Sequence, residues 1–202
     1  MNVVCCDLEG VWVPEVWINV AKKTGIDALK LTTRDIKDYD ELMQYRLKIL
    51  EEHKLTLRDI QEVIGTIKPL DGALEMIKWI QSQTQLIVVS DTFTEFADPL
   101  MRQLDYPTLF CHSLVVDEKN RIIDYKLRQK DPKRQVVKAL KSLAYEVIAF
   151  GDSYNDVSML LEADKAFLYK PPQNVIDDYP QFPIATNYRE MEKLLRELMG
   201  MA

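Results

Sequence analysis

Short apolar runs recur along the chain at residues 3–6, 86–89, 109–111, 147–150 and 166–169, and each reads as a buried strand. Between them the spacing turns helical. Residues 72–82 set Leu74, Ile77 and Ile80 near one face, and residues 132–143 do the same with Val136, Leu140 and Leu143. Residues 187–200 predict a last amphipathic helix. Strands that alternate with helices predict an α/β fold, a Rossmann-like parallel sheet with crossover helices on its faces. Residues 114–127 differ: two β-rich runs flank the polar stretch DEKN, which predicts a hairpin off the main sheet.

Residues 14–68 break this rhythm and hold no convincing strand. Pro14 is placed to open a helix that Gly25 closes. A second helical pattern covers 39–52 with Leu42, Met43, Leu47 and Leu50, and Thr56 with Asp59 marks a helix start ahead of Ile60, Val63 and Ile64. The expected organisation is therefore an α/β core of residues 1–13 and 69–202, interrupted after its first strand by a small helical segment, 14–68. KPLDG at 68–72 returns the chain to the core.

At 202 residues the chain can bury a sizeable core, and 47% hydrophobic with 29% charged residues is ordinary for a globular protein. A net charge of −6 gives no compositional support to nucleic-acid or anionic-membrane binding. No apolar run reaches the ~18 residues of a membrane span, and the first residues do not resemble a signal peptide. The expected compartment is the cytoplasm. Cys5, Cys6 and Cys111 are odd in number, and adjacent Cys5 and Cys6 would face opposite sides of a strand, so all three are expected to be reduced core residues. With His53 and His112 as the only histidines, a zinc site is not expected. Trp12, Trp17 and Trp79 are expected in the core; a monomer and a homodimer both remain open.

Three polar clusters follow strands: Asp7-Leu-Glu9-Gly, Ser90-Asp91-Thr92 and Gly151-Asp152-Ser-Tyr-Asn155-Asp156. In an open parallel sheet the carboxyl ends of the strands share one edge, where ligands bind, so these segments are expected to meet. If the first strand continues, Asp7 and Glu9 project to one side, and two like charges there repel unless a cation relieves them. Oxygen ligands without histidine favour Mg²⁺. Asp7 and Asp152 are the expected ligands, with Glu9 through its side chain or its backbone carbonyl, and Asp156 one layer further out. Ser90 and a strand-to-helix turn supply donors for a phosphate. Asp131 and Pro132 read as a helix cap and first turn, and Lys133 is favoured over Lys130 as the phosphate's cation. A lysine in a first turn opposes the helix dipole, which is more acceptable where an anion binds.

Taken in this order, Asp7-x-Glu9-Gly-Val, Ser90, Lys133 and Gly151-Asp152-x-x-Asn155-Asp156 resemble the four motifs of the haloacid dehalogenase superfamily. The segment 14–68 matches the cap of its phosphoserine phosphatase branch, and the resemblance covers essentially the whole chain. Glu9 departs from the Asp that most of these phosphatases carry. Together with DPKRQ and GDSYND it resembles the bifunctional group that also transfers phosphate to homoserine.

The resemblance implies a Mg²⁺-dependent phosphatase acting on phosphoserine through an aspartyl-phosphate on Asp7, with Glu9 as acid and base and Lys133 and Ser90 holding the phosphate. It also implies that Glu15 contacts the substrate ammonium and Arg46 its carboxylate, while backbone amides near Asp91 and the Asn155 side chain complete the pocket. The rivals are a hydrolase of the same fold acting on another small phosphoester, a receiver-like module that stores a phosphoryl group, and an inactive relative.

Overall fold

The computed structural model describes residues 1–32, 35–36 and 38–201. Seven strands form one sheet among these residues: β1 (Asn2–Cys6), β2 (Gln85–Phe93), β3 (Thr108–Val116), β4 (Ile122–Lys126), β5 (Glu146–Gly151), β6 (Lys165–Tyr169) and β7 (Ile184–Ala185). The order is β4-β3-β2-β1-β5-β6-β7, and β4 alone runs antiparallel to its neighbour. The chain builds outward from β1 to β2 and β3, then returns to β5 on the other side of β1. This reversal opens a crevice at the carboxyl ends of β1 and β5.

The sheet is covered on both faces. Val4 and Cys6 enter one apolar cluster, while Val3 and Cys5 enter the other. That is the period-two alternation of a central strand, and it places both cysteines in the core with free thiols. Trp12 and Trp17 are buried, and Trp79 is partly covered by Arg196.

The helices are α1 (Val16–Thr24), α2 (Tyr39–Glu52), α3 (Leu57–Ile64), α4 (Ala73–Gln83), α5 (Thr94–Gln103), α6 (Pro132–Ser142), α7 (Val157–Glu162), α8 (Gln173–Asp178) and α9 (Tyr188–Leu198). The first three follow the expected punctuation. Gly25 ends α1 at φ 73°, a left-handed conformation that suits glycine. Thr56 and Asp59 form a reciprocal capping box on α3. All three lie between β1 and β2, and Leu70 N–H donates to Trp12 O at 2.9 Å where the chain leaves and re-enters the sheet region.

The same three helices are fastened to the rest of the molecule. Pro99 lies inside α5 and has no N–H, so the Glu95 carbonyl is left without its helical donor. Gln61 of α3 supplies that donor at 2.7 Å. Asn120, in the β3–β4 turn, accepts from Leu57 N–H at 2.8 Å and from Arg58 N–H at 2.9 Å. These are the first amides of α3, which a helix cannot satisfy internally.

Three sequence expectations need correction. β3 is one continuous strand rather than a short strand plus a separate hairpin: Thr108–Phe110 pair with β2, and Ser113–Val116 pair with β4. His112 and Ser113 interrupt its apolar run but not its backbone pairing. β2 runs on to Phe93, so Ser90-Asp91-Thr92 lie in extended backbone rather than in a strand-to-helix turn. Asp131 sits at the cap position of α6 with φ 51° and does not cap it; its carboxylate accepts from Ser158 Oγ at 2.7 Å, joining the loop to α7. No helix among the described residues is long and apolar enough to cross a membrane.

Candidate active site

β1 ends at Cys6, and the chain then turns sharply. Trp12 N–H returns to Leu8 O at 2.9 Å, and Gly10 N–H donates to Val13 O at 2.8 Å. This turn, not a continuing strand, brings Asp7 and Glu9 to one pocket while Leu8 is buried. Gly10 is required twice over: its φ is 77°, and a Cβ there would meet the Asp152 carboxylate at 2.6 Å.

Asp7 is buried, and its Oδ1 accepts from Leu8 N–H at 2.7 Å. Lys133 reaches in from the first turn of α6, with Nζ 2.7 Å from Asp156 Oδ1, 2.9 Å from Asp7 Oδ2 and 3.6 Å from Asp91 Oδ2. Asp156 is fully buried, and its other oxygen accepts from the Asp152 and Ser153 amides at 2.9 and 3.2 Å. It thus shapes the loop after β5 and anchors the lysine. Gly151 allows this, because a Cβ there would lie 2.3 Å from the Asp156 carboxylate.

Asp7, Asp152 and Asp156 present carboxylate oxygens within 4.8 Å of one another. Burial, and then repulsion from Asp156, push the Asp7 carboxyl well above the usual range and the Asp152 carboxyl up to about 7. One ammonium does not balance three buried carboxylates, and hard oxygen donors in this number fit a divalent cation such as Mg²⁺. Asp156 is fully buried and does not line the pocket, whereas Asp7 and Asp152 do, which leaves these two as the available side chains. The Glu9 side chain is not in this group. Its Oε2 accepts from Val16 N–H at 2.7 Å, at the N-terminus of α1, so only its backbone carbonyl is left as a candidate ligand. Burial and the neighbouring Glu15 carboxylate push the Glu9 carboxyl up to about 8, against the pull of the Val16 amide.

The opposite wall comes from the helices between β1 and β2. Glu15 and Trp17 flank the start of α1, and Arg46 enters from α2. Arg46 is buried, stacks on Trp17 with Cζ 4.7 Å from the ring centre, and donates to Leu31 O at 2.9 Å. Its Nε has no hydrogen-bond partner, and no carboxylate lies within ion-pair distance among the described residues. Burial holds its guanidinium below the usual range, at about 10. A buried, underused guanidinium is costly unless an anion joins it.

Ser90 is buried, and its hydroxyl accepts from Thr92 N–H at 3.2 Å. The Asp91 carboxylate turns toward Asn155 Nδ2 at 3.0 Å, His112 Nε2 at 3.5 Å and Lys133, while its carbonyl accepts from Tyr39 O–H at 3.0 Å. The pocket therefore gathers Asp7, Glu9, Glu15, Arg46, Ser90, Asp91, Asp152 and Asn155, with Lys133 behind Asp7. Sequence reasoning missed Tyr39, Trp17 and His112. Trp17 and His112 stand in stretches that read as ordinary core, Tyr39 in a charged helix start, and nothing in the local pattern marks any of them.

An open parallel sheet with a buried carboxylate after its central strand, a buried lysine beside it and a carboxylate-rich loop after β5 is the layout of a class of phosphoryl-transfer enzyme. The family model described as haloacid dehalogenase-like hydrolase matches residues 5–164, and the chain belongs to that family. It is 58% identical over 193 residues to phosphoserine phosphatase ThrH of Pseudomonas aeruginosa, covering 96% of this chain and 94% of that protein. It is 57% identical over 193 residues to a phosphoserine phosphatase of Pseudomonas syringae pv. tomato, covering 96% and 81%. Among solved structures, a phosphoserine phosphatase in apo form superposes with a TM-score of 0.78 at 20% identity, covering 95% of this chain and 98% of that one. A phospho-aspartyl intermediate analogue of phosphoserine phosphatase gives 0.79 at 19% identity, covering 96% and 98%. At such identities these two structures speak for the fold.

Proposed function

We propose that this chain is a Mg²⁺-dependent, cytoplasmic phosphoserine phosphatase that also passes the phosphoryl group to homoserine. The observation that carries the reading is the juxtaposition of Asp7, held at 2.9 Å by Lys133, with an Arg46 guanidinium that lacks a carboxylate in the same pocket. A phosphoester with an amino-acid end answers both, and the two Pseudomonas relatives, both phosphoserine phosphatases, support the choice of phosphoserine.

The proposed chemistry follows from the side chains. An Asp7 oxygen attacks phosphorus, and the bond from phosphorus to the serine oxygen breaks. Glu9 gives that oxygen a proton. Glu9, now a carboxylate, takes a proton from water or from the homoserine hydroxyl, whose oxygen bonds to phosphorus as the Asp7–phosphorus bond breaks. Lys133, Ser90 and Asn155 hold the phosphoryl oxygens. Arg46 grips the substrate carboxylate through paired N–H groups, and Glu15 meets its ammonium. Residues 14–68 act as a cap that limits bulk water, which lets an alcohol compete. Mg²⁺ bound by Asp7, Asp152 and the residue 9 carbonyl would offset charge on the phosphoryl oxygens.

The test supplies phosphoserine and Mg²⁺, with and without homoserine, and measures serine, free phosphate and phosphohomoserine. Serine and phosphate are expected from the first mixture, with phosphohomoserine added in the second. Asp7→Asn should abolish all products. Equal turnover of unrelated small phosphoesters would overturn the substrate assignment, and retained turnover in Asp7→Asn would remove Asp7 as nucleophile.

A further inference from the structure

His112 lies in the middle of β3, is 2% exposed, and takes no part in the chemistry described above. Both ring nitrogens have defined surroundings. Nδ1 accepts from Arg128 N–H at 3.2 Å, which leaves Nε2 as the N–H facing Asp91 Oδ1 at 3.5 Å. The sheet creates this meeting. The β2–β3 register shifts between Val89 and Phe93, where pairing resumes with Phe93 opposite His112. The displaced Asp91 is thereby carried over the imidazole.

A carboxylate beside a phosphate site would repel the substrate if it faced it. Asp91 instead accepts from Asn155 Nδ2 at 3.0 Å and lies 3.5 Å from His112 Nε2 and 3.6 Å from Lys133 Nζ, while Tyr39 O–H donates to its carbonyl at 3.0 Å. Two of those donors, Asn155 and Lys133, belong to the phosphoryl grip of the proposed reaction. We infer that His112 is a positioning residue: by holding Asp91 from the β3 side, it aims Asn155 and Lys133 at the phosphoryl group. A histidine serving only to fill the core would not need an acceptor shared with two active-site donors. The inference rests on the proposed phosphatase chemistry but not on the choice of phosphoserine.

The test compares the full chain with His112→Phe, which keeps a ring between Tyr39 and Phe93 but removes the donor, and His112→Gln, which keeps an N–H. p-Nitrophenyl phosphate, with Mg²⁺ present, is the substrate and inorganic phosphate the inhibitor. His112→Phe should lower kcat/KM and weaken phosphate inhibition, each roughly fivefold, the scale of one modest polar contact. His112→Gln should restore most of both. In an Asp91→Asn background the further loss from His112→Phe should shrink to about twofold or less, because coupled residues do not add. Melting temperatures identify any variant that fails to fold. An unchanged phosphate inhibition constant in folded His112→Phe, or losses that multiply fully with Asp91→Asn, would overturn the inference. If the unmodified protein hydrolyses p-nitrophenyl phosphate but not phosphoserine, the substrate assignment fails while this inference can still be judged.

Discussion

Arg46 carries the specificity argument at the scale of one residue. Its guanidinium is buried against Trp17, with an Nε that has no partner, and an arriving carboxylate would complete its hydrogen bonds. Lysine keeps the charge but lacks the planar fork and the stacking surface. Arg46→Lys is therefore expected to raise the KM for phosphoserine about tenfold or more, as loss of a charged hydrogen bond implies, while p-nitrophenyl phosphate, which has no amino-acid end, is turned over as before. Steady-state kinetics on the two substrates checks this, and equal effects on both would place Arg46 outside the amino-acid subsite. Glu9 makes a related point about reach. Its side chain extends to the first amide of α1, at 2.7 Å, and so links the turn that holds Asp7 to the helices between β1 and β2.

At the scale of the element, α3 shows how local signals and distant partners share the work. Its N-terminus is marked by Thr56 and Asp59, and the capping box forms as those residues suggest. The Asp59 carboxyl is held below the usual range by the Thr56 hydroxyl and amide. A lowered folded-state value means that this stabilisation is full above the ordinary aspartate range and is lost as pH falls through the lowered value. Thr56→Ala should cost about 1 kcal/mol near neutral pH, and the deficit should narrow in acid. Thermal melts across that pH range test it; a deficit that stays constant into acid would mean the box contributes little. The partner that α3 finds in the Glu95 carbonyl, by contrast, exists only because Pro99 leaves that carbonyl open.

At the scale of the whole molecule, the fold brings Asp7, Asp152 and Asp156 together, with one lysine against Asp7 and Asp156. Such a site should be less stable empty than filled. Adding Mg²⁺ at about 100 times its dissociation constant should stabilise the protein by roughly 2.7 kcal/mol and raise its melting temperature. Asp152→Asn removes one of the repelling charges. Because the Asp152 carboxyl is raised to about 7, its charged form is disfavoured in the folded state. The metal-free variant should therefore melt slightly higher above that pH, yet show no Mg²⁺-dependent rise. A preserved Mg²⁺ response in the variant would remove Asp152 as a ligand. Chelation should abolish turnover while leaving far-ultraviolet circular dichroism unchanged.

The sequence by itself determined the alternation of strands and helices, the helical stretch after the first strand, and the chemical types at the ends of β1, β2 and β5. These are properties of short windows: side-chain period, cap residues and polar clusters that follow apolar runs. The tertiary structure decided what those windows cannot hold. A tight turn after Cys6, not a persisting strand, sets Asp7 beside Glu9, and it directs the Glu9 side chain to α1 rather than to the carboxylate cluster. Asp131 does not cap α6: its backbone is left-handed, and its carboxylate accepts from Ser158 of α7 instead. His112 meets Asp91 only through a shift in the register of β2 against β3, and Arg46 is left short of a partner only by what packs around it. Period and composition fix which face a residue takes; the groups it meets there depend on backbone paths and pairings between segments far apart in the chain.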